Sequence, residues 1–156
     1  MNLAILDQKG CTVPETSEHI KYLEGTPVSQ VAILLRNGSP LYKGVIKSRE
    51  ILGSIPTIYS ELRGIYCSKE YSREKFLVKE VLPTLKDPRC SDNQSLDSIE
   101  YFMKLVAEDL MKVTKITILE QARNCLVVDG NKRASAWYER TSAYKFPEIP
   151  LYLVKG

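Results

Sequence analysis

The chain is short of the residues that most often betray a metal or redox site. It has one histidine, His19, and four cysteines, Cys11, Cys67, Cys90 and Cys125, scattered with no C-x-x-C pair. Zinc-ligand spacing is therefore absent. No apolar run approaches the length that spans a bilayer. The stretch Met1 to Asp7 has no basic region before its apolar residues and soon meets charge, which does not suit a signal peptide. Dispersed cysteines without such a signal fit reduced thiols, so a soluble, cytoplasmic protein with no membrane partner is expected. A net charge of +3 is too weak to demand nucleic acid, although it tolerates a nucleotide or nucleic-acid ligand. The nine tyrosines are spread along the chain and form no base-stacking platform. Repeats and low-complexity tracts are also lacking.

What is present is enough for a packed core. Hydrophobic residues make up 44% and charged residues 26% of 156, which suits one domain, or one domain with a sizeable extension. The most informative stretch is Leu126 to Tyr138. Three apolar residues lead into Asp129-Gly130, Asn131 and two cations follow, and then small and aromatic residues come at helical spacing. This pattern predicts a buried strand, a tight turn and the start of a helix. Uncapped N–H groups at a helix N-terminus attract anions, and Lys132 and Arg133 add full charge there, so a phosphate is the natural ligand. The bland alternative is a plain turn with two solvated cations.

Taken in order, Leu3–Leu6 suggests a short strand. Glu15–Leu23 suggests a helix opened by Thr16 or Ser17 after Pro14. Val28–Leu35, apolar and β-branched between Pro27 and Asn37-Gly38, suggests a strand, with Leu41–Ile46 as its partner. A helix is expected over 58–65, and the charged run 68–75 is the expected boundary between an N-terminal extension or subdomain, 1–74, and a domain over 75–156. Phe76–Leu82 suggests a strand ending at Pro83, followed by a turn at 86–89. Ser95 or Asp92 then caps a helix whose apolar stripe runs through Leu96, Ile99, Phe102, Met103, Val106, Leu110 and Val113. Ile116–Glu120, the strand ending at Asp129, a helix to about 143 and a last strand over 151–154 complete a β-α-β-β-α-β order, hence an α+β fold.

That order, with the residues at its joints, resembles the ParB/sulfiredoxin superfamily over about 75–156. Asp87-Pro88-Arg89 with Leu96-Asp97-Ser98-Ile99 is similar to the family's first box. Val127 to Ala136 is similar to its strand, Asp-Gly turn, basic pair and alanine-rich helix. Ile149 to Val154 is similar to its terminal strand. The resemblance implies a nucleotide triphosphate, ATP or CTP with Mg2+, held at the basic turn by Gly130, Asn131, Lys132 and Arg133, with Arg89 approaching from the first box. Asp129 and Glu120 are then the carboxylates to serve as magnesium ligand or general base. The implied activities are phosphotransfer, nucleotide hydrolysis or nuclease action. A different class stays open: a non-catalytic module using the same turn for nucleic acid or a protein, with 1–74 as the docking part.

Departures from the family narrow these expectations. Sulfiredoxins carry a reactive cysteine where Asn131 stands, so sulfinic-acid reduction is disfavoured. Lys132 keeps the charge of the family's histidine or arginine without a bidentate fork. The glutamate–asparagine box and helix-turn-helix of partition proteins are not recognisable. Asp129 to Arg133 is also similar to the loop of Fic and Doc proteins, but the histidine that precedes that loop is missing. Cys125 is expected to be a buried small hydrophobe, and His19 to be structural or exposed.

Overall fold

The computed structural model describes residues 4–5, 9–58, 76–88 and 93–156, and within them the fold is mixed α+β. The elements are β1 (Ala4–Ile5), α1 (Val13–Glu24), α2 (Ser29–Arg36), β2 (Leu41–Ile46), α3 (Arg49–Ser54), α4 (Val78–Leu85), α5 (Asn93–Lys104), α6 (Ala107–Val113), β3 (Ile116–Gln121), β4 (Asn124–Asp129), α7 (Asn131–Arg140) and β5 (Ile149–Lys155). The five strands form one sheet in the order β1-β2-β5-β3-β4. β3 and β5 run parallel, and the other neighbours are antiparallel. Strands from both sides of the 68–75 run thus share one sheet, since all six residues of β2 pair with β5.

Helices cover both faces of the sheet, which explains strands that read as nearly continuous apolar runs. On one face Ile116, Ile118, Val127, Ile149, Leu151 and Leu153 pack with Leu52, Val78, Leu110, Ala134 and Trp137. On the other, Leu41, Val128 and Val154 pack with Leu23, Val31, Ala32 and Leu35 of the α1–α2 hairpin. Period-2 alternation fixes which strand residues serve which face. A smaller cluster of Phe76, Val81, Leu82, Leu85, Ile99 and Ala136 fastens α4 and α5 to α7.

Five expectations from the sequence are corrected. Val28–Leu35 is mostly α2, not a strand, because Val31, Ala32 and Leu35 form one buried helical face while Ile33 stays exposed. Phe76–Leu82 leads into α4 rather than forming a strand. Val78, Val81, Leu82 and Leu85 line its buried face, and Pro83 sits inside the helix on the exposed side, where it forgoes the bond to the Lys79 carbonyl and crowds it but removes nothing from the core. The expected β-α-β-β-α-β unit therefore lacks its first strand. The long stripe from Leu96 to Val113 is broken into α5 and α6 at Leu105-Val106, where Val106 is extended and, like Val113, largely exposed. Finally, α1 starts at Thr12, whose Oγ1 accepts the Glu15 N–H, and Pro14 lies inside the first turn instead of before the cap. Ser95 is likewise a buried residue within α5, not its cap, and Asp92 lies outside the described residues, as do the boundary at 68–75 and all but Ile58 of the helix expected over 58–65. β2 and β3 occupy the expected residues, and β5 begins two residues early at Ile149.

One buried hydrogen bond ties α6 to α7. Trp137 Nε1 donates to Thr114 Oγ1 at 2.8 Å, and the same hydroxyl donates to Leu110 O at 2.6 Å. Thr114→Val keeps the shape but strands the indole N–H in the core, so unfolding free energy should drop by about 1–3 kcal/mol. Urea denaturation measures this. A loss well below that range would mean that the indole finds another acceptor.

Candidate functional site

The turn between β4 and α7 is shaped by one glycine. Gly130 caps α7 with φ +83, a left-handed conformation, and a Cβ there would stand 2.9 Å from Lys115 O. A side chain would be strained both by the dihedral and by the contact. No side chain caps α7, and its first intrahelical bond runs from Ala134 N–H to Gly130 O. The N–H groups of Asn131, Lys132 and Arg133 precede that bond, so the helix presents them uncapped together with its positive dipole end.

These residues open onto a cavity of about 390 Å³, lined also by Pro27 and Val28 of the α1–α2 elbow, Ile58, Ser98 and Phe102 of α5, and Val128 and Asp129. The lining mixes the basic, polar residues of the turn with apolar Pro27, Val28, Ile58 and Phe102. Asn131 is 92% buried by area, its side chain being 8% exposed, yet its Oδ1 has no hydrogen-bond partner. Arg133 Nε is also buried without a partner, and the guanidinium lies 5.4 Å from the Phe102 ring centroid. Two unpartnered buried polar atoms thus lie on residues that line one cavity.

Asp129 is held from the far side of the sheet. Tyr22 of α1 donates a hydrogen bond of 2.5 Å to Asp129 Oδ2, and Lys115 Nζ stands 4.5 Å from the centroid of the Tyr22 ring. Burial raises the Tyr22 pKa, and the bond to Asp129 and its charge raise it further, while Arg133 on the same hydroxyl pulls it down. Tyr22 therefore stays a neutral phenol.

Of the residues expected at the site, Asp129, Gly130, Asn131, Lys132 and Arg133 come together on the cavity. Glu120 does not. Asp129 pairs with Thr117, and Glu120 lies three residues farther along β3, about 10 Å away at the usual strand rise. There it receives a hydrogen bond of 3.8 Å from the Cys125 thiol. Burial and then the Glu120 charge push that thiol up, which makes it less nucleophilic. Arg89 lies outside the described residues. Pro27, Val28, Ile58 and Tyr22 had no mark in the sequence, being ordinary apolar residues and one tyrosine among nine.

Among the described residues no group of three or more His, Cys, Asp or Glu side chains could hold a metal ion, and no helix is long and apolar enough to cross a membrane. A single carboxylate, Asp129, lines the described part of the cavity. That donor set fits magnesium only in its usual nucleotide-site form, where phosphate oxygens and water supply the remaining ligands. No family model, curated protein or solved structure matches the chain.

His19 is the second buried polar feature near this end of the sheet. It is 1% exposed, shares a hydrogen bond of 3.0 Å with Thr117 Oγ1, and stacks on Tyr152 at 4.2 Å, while Nδ1 has no partner. Burial first, and the charge of Lys115 second, lower its pKa from 6.5 to about 4. The unfolded chain thus binds the extra proton between those values, and stability falls as pH falls through that window. The drop between pH 7 and pH 5 should be on the order of 2 kcal/mol. In urea titrations at pH 7, 6 and 5, His19→Gln should flatten this slope. An unchanged slope would show that the imidazole is not the group responsible.

Proposed function

We propose that the chain is a nucleotide-binding domain of ParB/sulfiredoxin-like character, with the triphosphate at the N-terminus of α7 and the base against the apolar residues of the cavity. One observation carries this reading. An uncapped helix N-terminus with two cations shares a single cavity with a buried asparagine whose Oδ1 has no partner and with apolar residues that include Phe102. Phosphate favours the helix N-terminus and a flat heteroaromatic ring the apolar residues. The volume of about 390 Å³ falls in the range of small-molecule pockets, and a concavity of this kind suits a free nucleotide better than a nucleic-acid strand.

In this reading the N–H groups of Asn131 to Arg133, with Lys132 and Arg133, neutralise phosphate charge, and the Asn131 amide fixes the orientation. Asp129 would contribute one oxygen to a magnesium ion, which supplies further charge neutralisation and lowers the pKa of bound water. Phosphotransfer or nucleotide hydrolysis would then rest on Asp129 alone among the proposed carboxylates. A non-catalytic nucleotide-binding module is the second reading, and the separation of Glu120 from the cavity favours it.

Thermal denaturation with ATP, CTP, GTP and ADP, each with and without magnesium, tests the proposal. A ligand that binds the native state raises the melting temperature with concentration, by roughly 2.7 kcal/mol of stability at a hundredfold excess over Kd. One nucleotide should do so on the wild type and not on Arg133→Ala. No shift with any of them at millimolar concentration would refute nucleotide binding.

A further inference from the structure

We propose that Tyr22, carried on α1 in the N-terminal part of the chain, is a positioning residue of the phosphate site. Its hydroxyl holds the Asp129 carboxylate away from Arg133 and so keeps the guanidinium available to an anion in the cavity. This inference rests on the phosphate reading of the cavity and assigns a role to a helix that the basic turn alone does not require.

Asp129 and Arg133 do not form an ion pair. Asp129 and Arg133 line the same cavity and flank the same glycine turn. Opposite charges so placed, in a partly desolvated pocket, would ordinarily close on each other, and the planar guanidinium is the cation best suited to do so. Among the described residues, however, the ion pairs are Arg36 with Glu24 and Lys43 with Glu15. Asp129 instead accepts from Tyr22 at 2.5 Å, and Arg133 Nε is left buried without a partner.

A hydroxyl is suited to this place because it faces both ways. It donates one hydrogen bond to a carboxylate while its oxygen lone pairs face a cation. The Tyr22 hydroxyl donates to Asp129, and the charge of Arg133 acts on the same phenol in the opposite sense to that of Asp129. Tyr22 is not among the residues that line the cavity, which makes its influence on a ligand indirect, through Asp129 and Arg133. The ring is itself fixed, with His19 at 5.6 Å and the Lys115 ammonium at 4.5 Å from its centroid. Removing the hydroxyl frees the carboxylate to swing onto the guanidinium, and an incoming phosphate must then compete with an internal anion.

The test is a double-mutant cycle read by calorimetric titration of inorganic triphosphate, in EDTA at fixed ionic strength, with thermal melts to check folding. Triphosphate probes the phosphate site alone. Tyr22→Phe should weaken binding about tenfold, the loss expected when one charged hydrogen bond is forfeited. Asp129→Asn, which removes the competing charge, should bind more tightly than the wild type. On that background Tyr22→Phe should have almost no further effect, because no carboxylate remains to restrain.

Equal weakening by Tyr22→Phe with Asp129 or Asn at that position would make Tyr22 a packing residue and overturn the proposal. So would unchanged binding by Tyr22→Phe. In either case, loss of binding in Arg133→Ala would leave the phosphate site itself standing. If the wild type does not bind triphosphate, or Arg133→Ala binds it equally well, the phosphate reading fails and this inference fails with it. Should Tyr22→Phe not fold, the double variant, in which no carboxylate is left without its donor, is compared with Asp129→Asn: equal binding supports the proposal, and weaker binding makes Tyr22 a packing residue and overturns it.

Discussion

The close approach of the β4–α7 turn to the start of β3 is the constraint on which most of the molecule depends. At Gly130 the chain passes so near Lys115 and Ile116 that a methyl group would touch the backbone of both. The left-handed dihedral at this residue turns the chain out of β4 and points α7 back across the sheet. From that direction Ala134 and Trp137 reach the core, and Trp137 meets Thr114 at the end of α6, immediately before β3. A short β3–β4 hairpin followed by a returning helix also places β5 parallel to β3 rather than beside β4. One missing Cβ thus sets the helix axis, and with it the direction in which the uncapped N–H groups point.

The α1–α2 hairpin closes the other face of the sheet. Without it Leu41, Val128 and Val154 would face water, so burying that side of the sheet is reason enough for it to exist. Its position has chemical consequences as well. Tyr22 reaches Asp129 at the end of β4, His19 reaches Thr117 on β3, and the elbow residues Pro27 and Val28 form part of the cavity wall. Pairing of β2 with β5 locks this hairpin to the strands that carry the turn. Core packing and site geometry are therefore one problem here.

The legible parts of the sequence were those in which several local signals agreed. Leu126 to Tyr138 combined a β-branched run, a turn pair and helical spacing, and it folds as a strand, a left-handed glycine and a helix. Val28–Leu35 and Phe76–Leu82 misled because short apolar runs carry no decisive period, and both are helices packed by one face. Pro83 reinforced the error, since a proline near the end of such a run marks a strand end as readily as a tolerated position on an exposed helix face. The site was legible on one side only. The basic turn shows in the sequence, whereas Tyr22 and the elbow arrive through tertiary packing across more than a hundred residues. Glu120 seemed a partner for Asp129 because both end strands, but antiparallel pairing puts those two ends at opposite ends of the hairpin.

That antiparallel geometry bears directly on chemistry. Two carboxylates clamp a metal between reacting oxygens only when they share a pocket, and adjacent antiparallel strands deliver their C-terminal residues to opposite edges. With Glu120 removed to the Cys125 edge, the described lining of the cavity joins one carboxylate to Lys132, Arg133 and a helix N-terminus, a balance of charge that favours an anion. The carboxylate's best position in such a place is near the phosphate but not on the arginine, because an internal ion pair would cancel the charge that attracts the ligand. The Tyr22 phenol bonded to the carboxylate meets that requirement with neutral chemistry, adding no further charge to the pocket. Pro27 and Val28 of the N-terminal hairpin's elbow and Phe102 of α5 line the same cavity, so the hairpin shapes the site as well as the core.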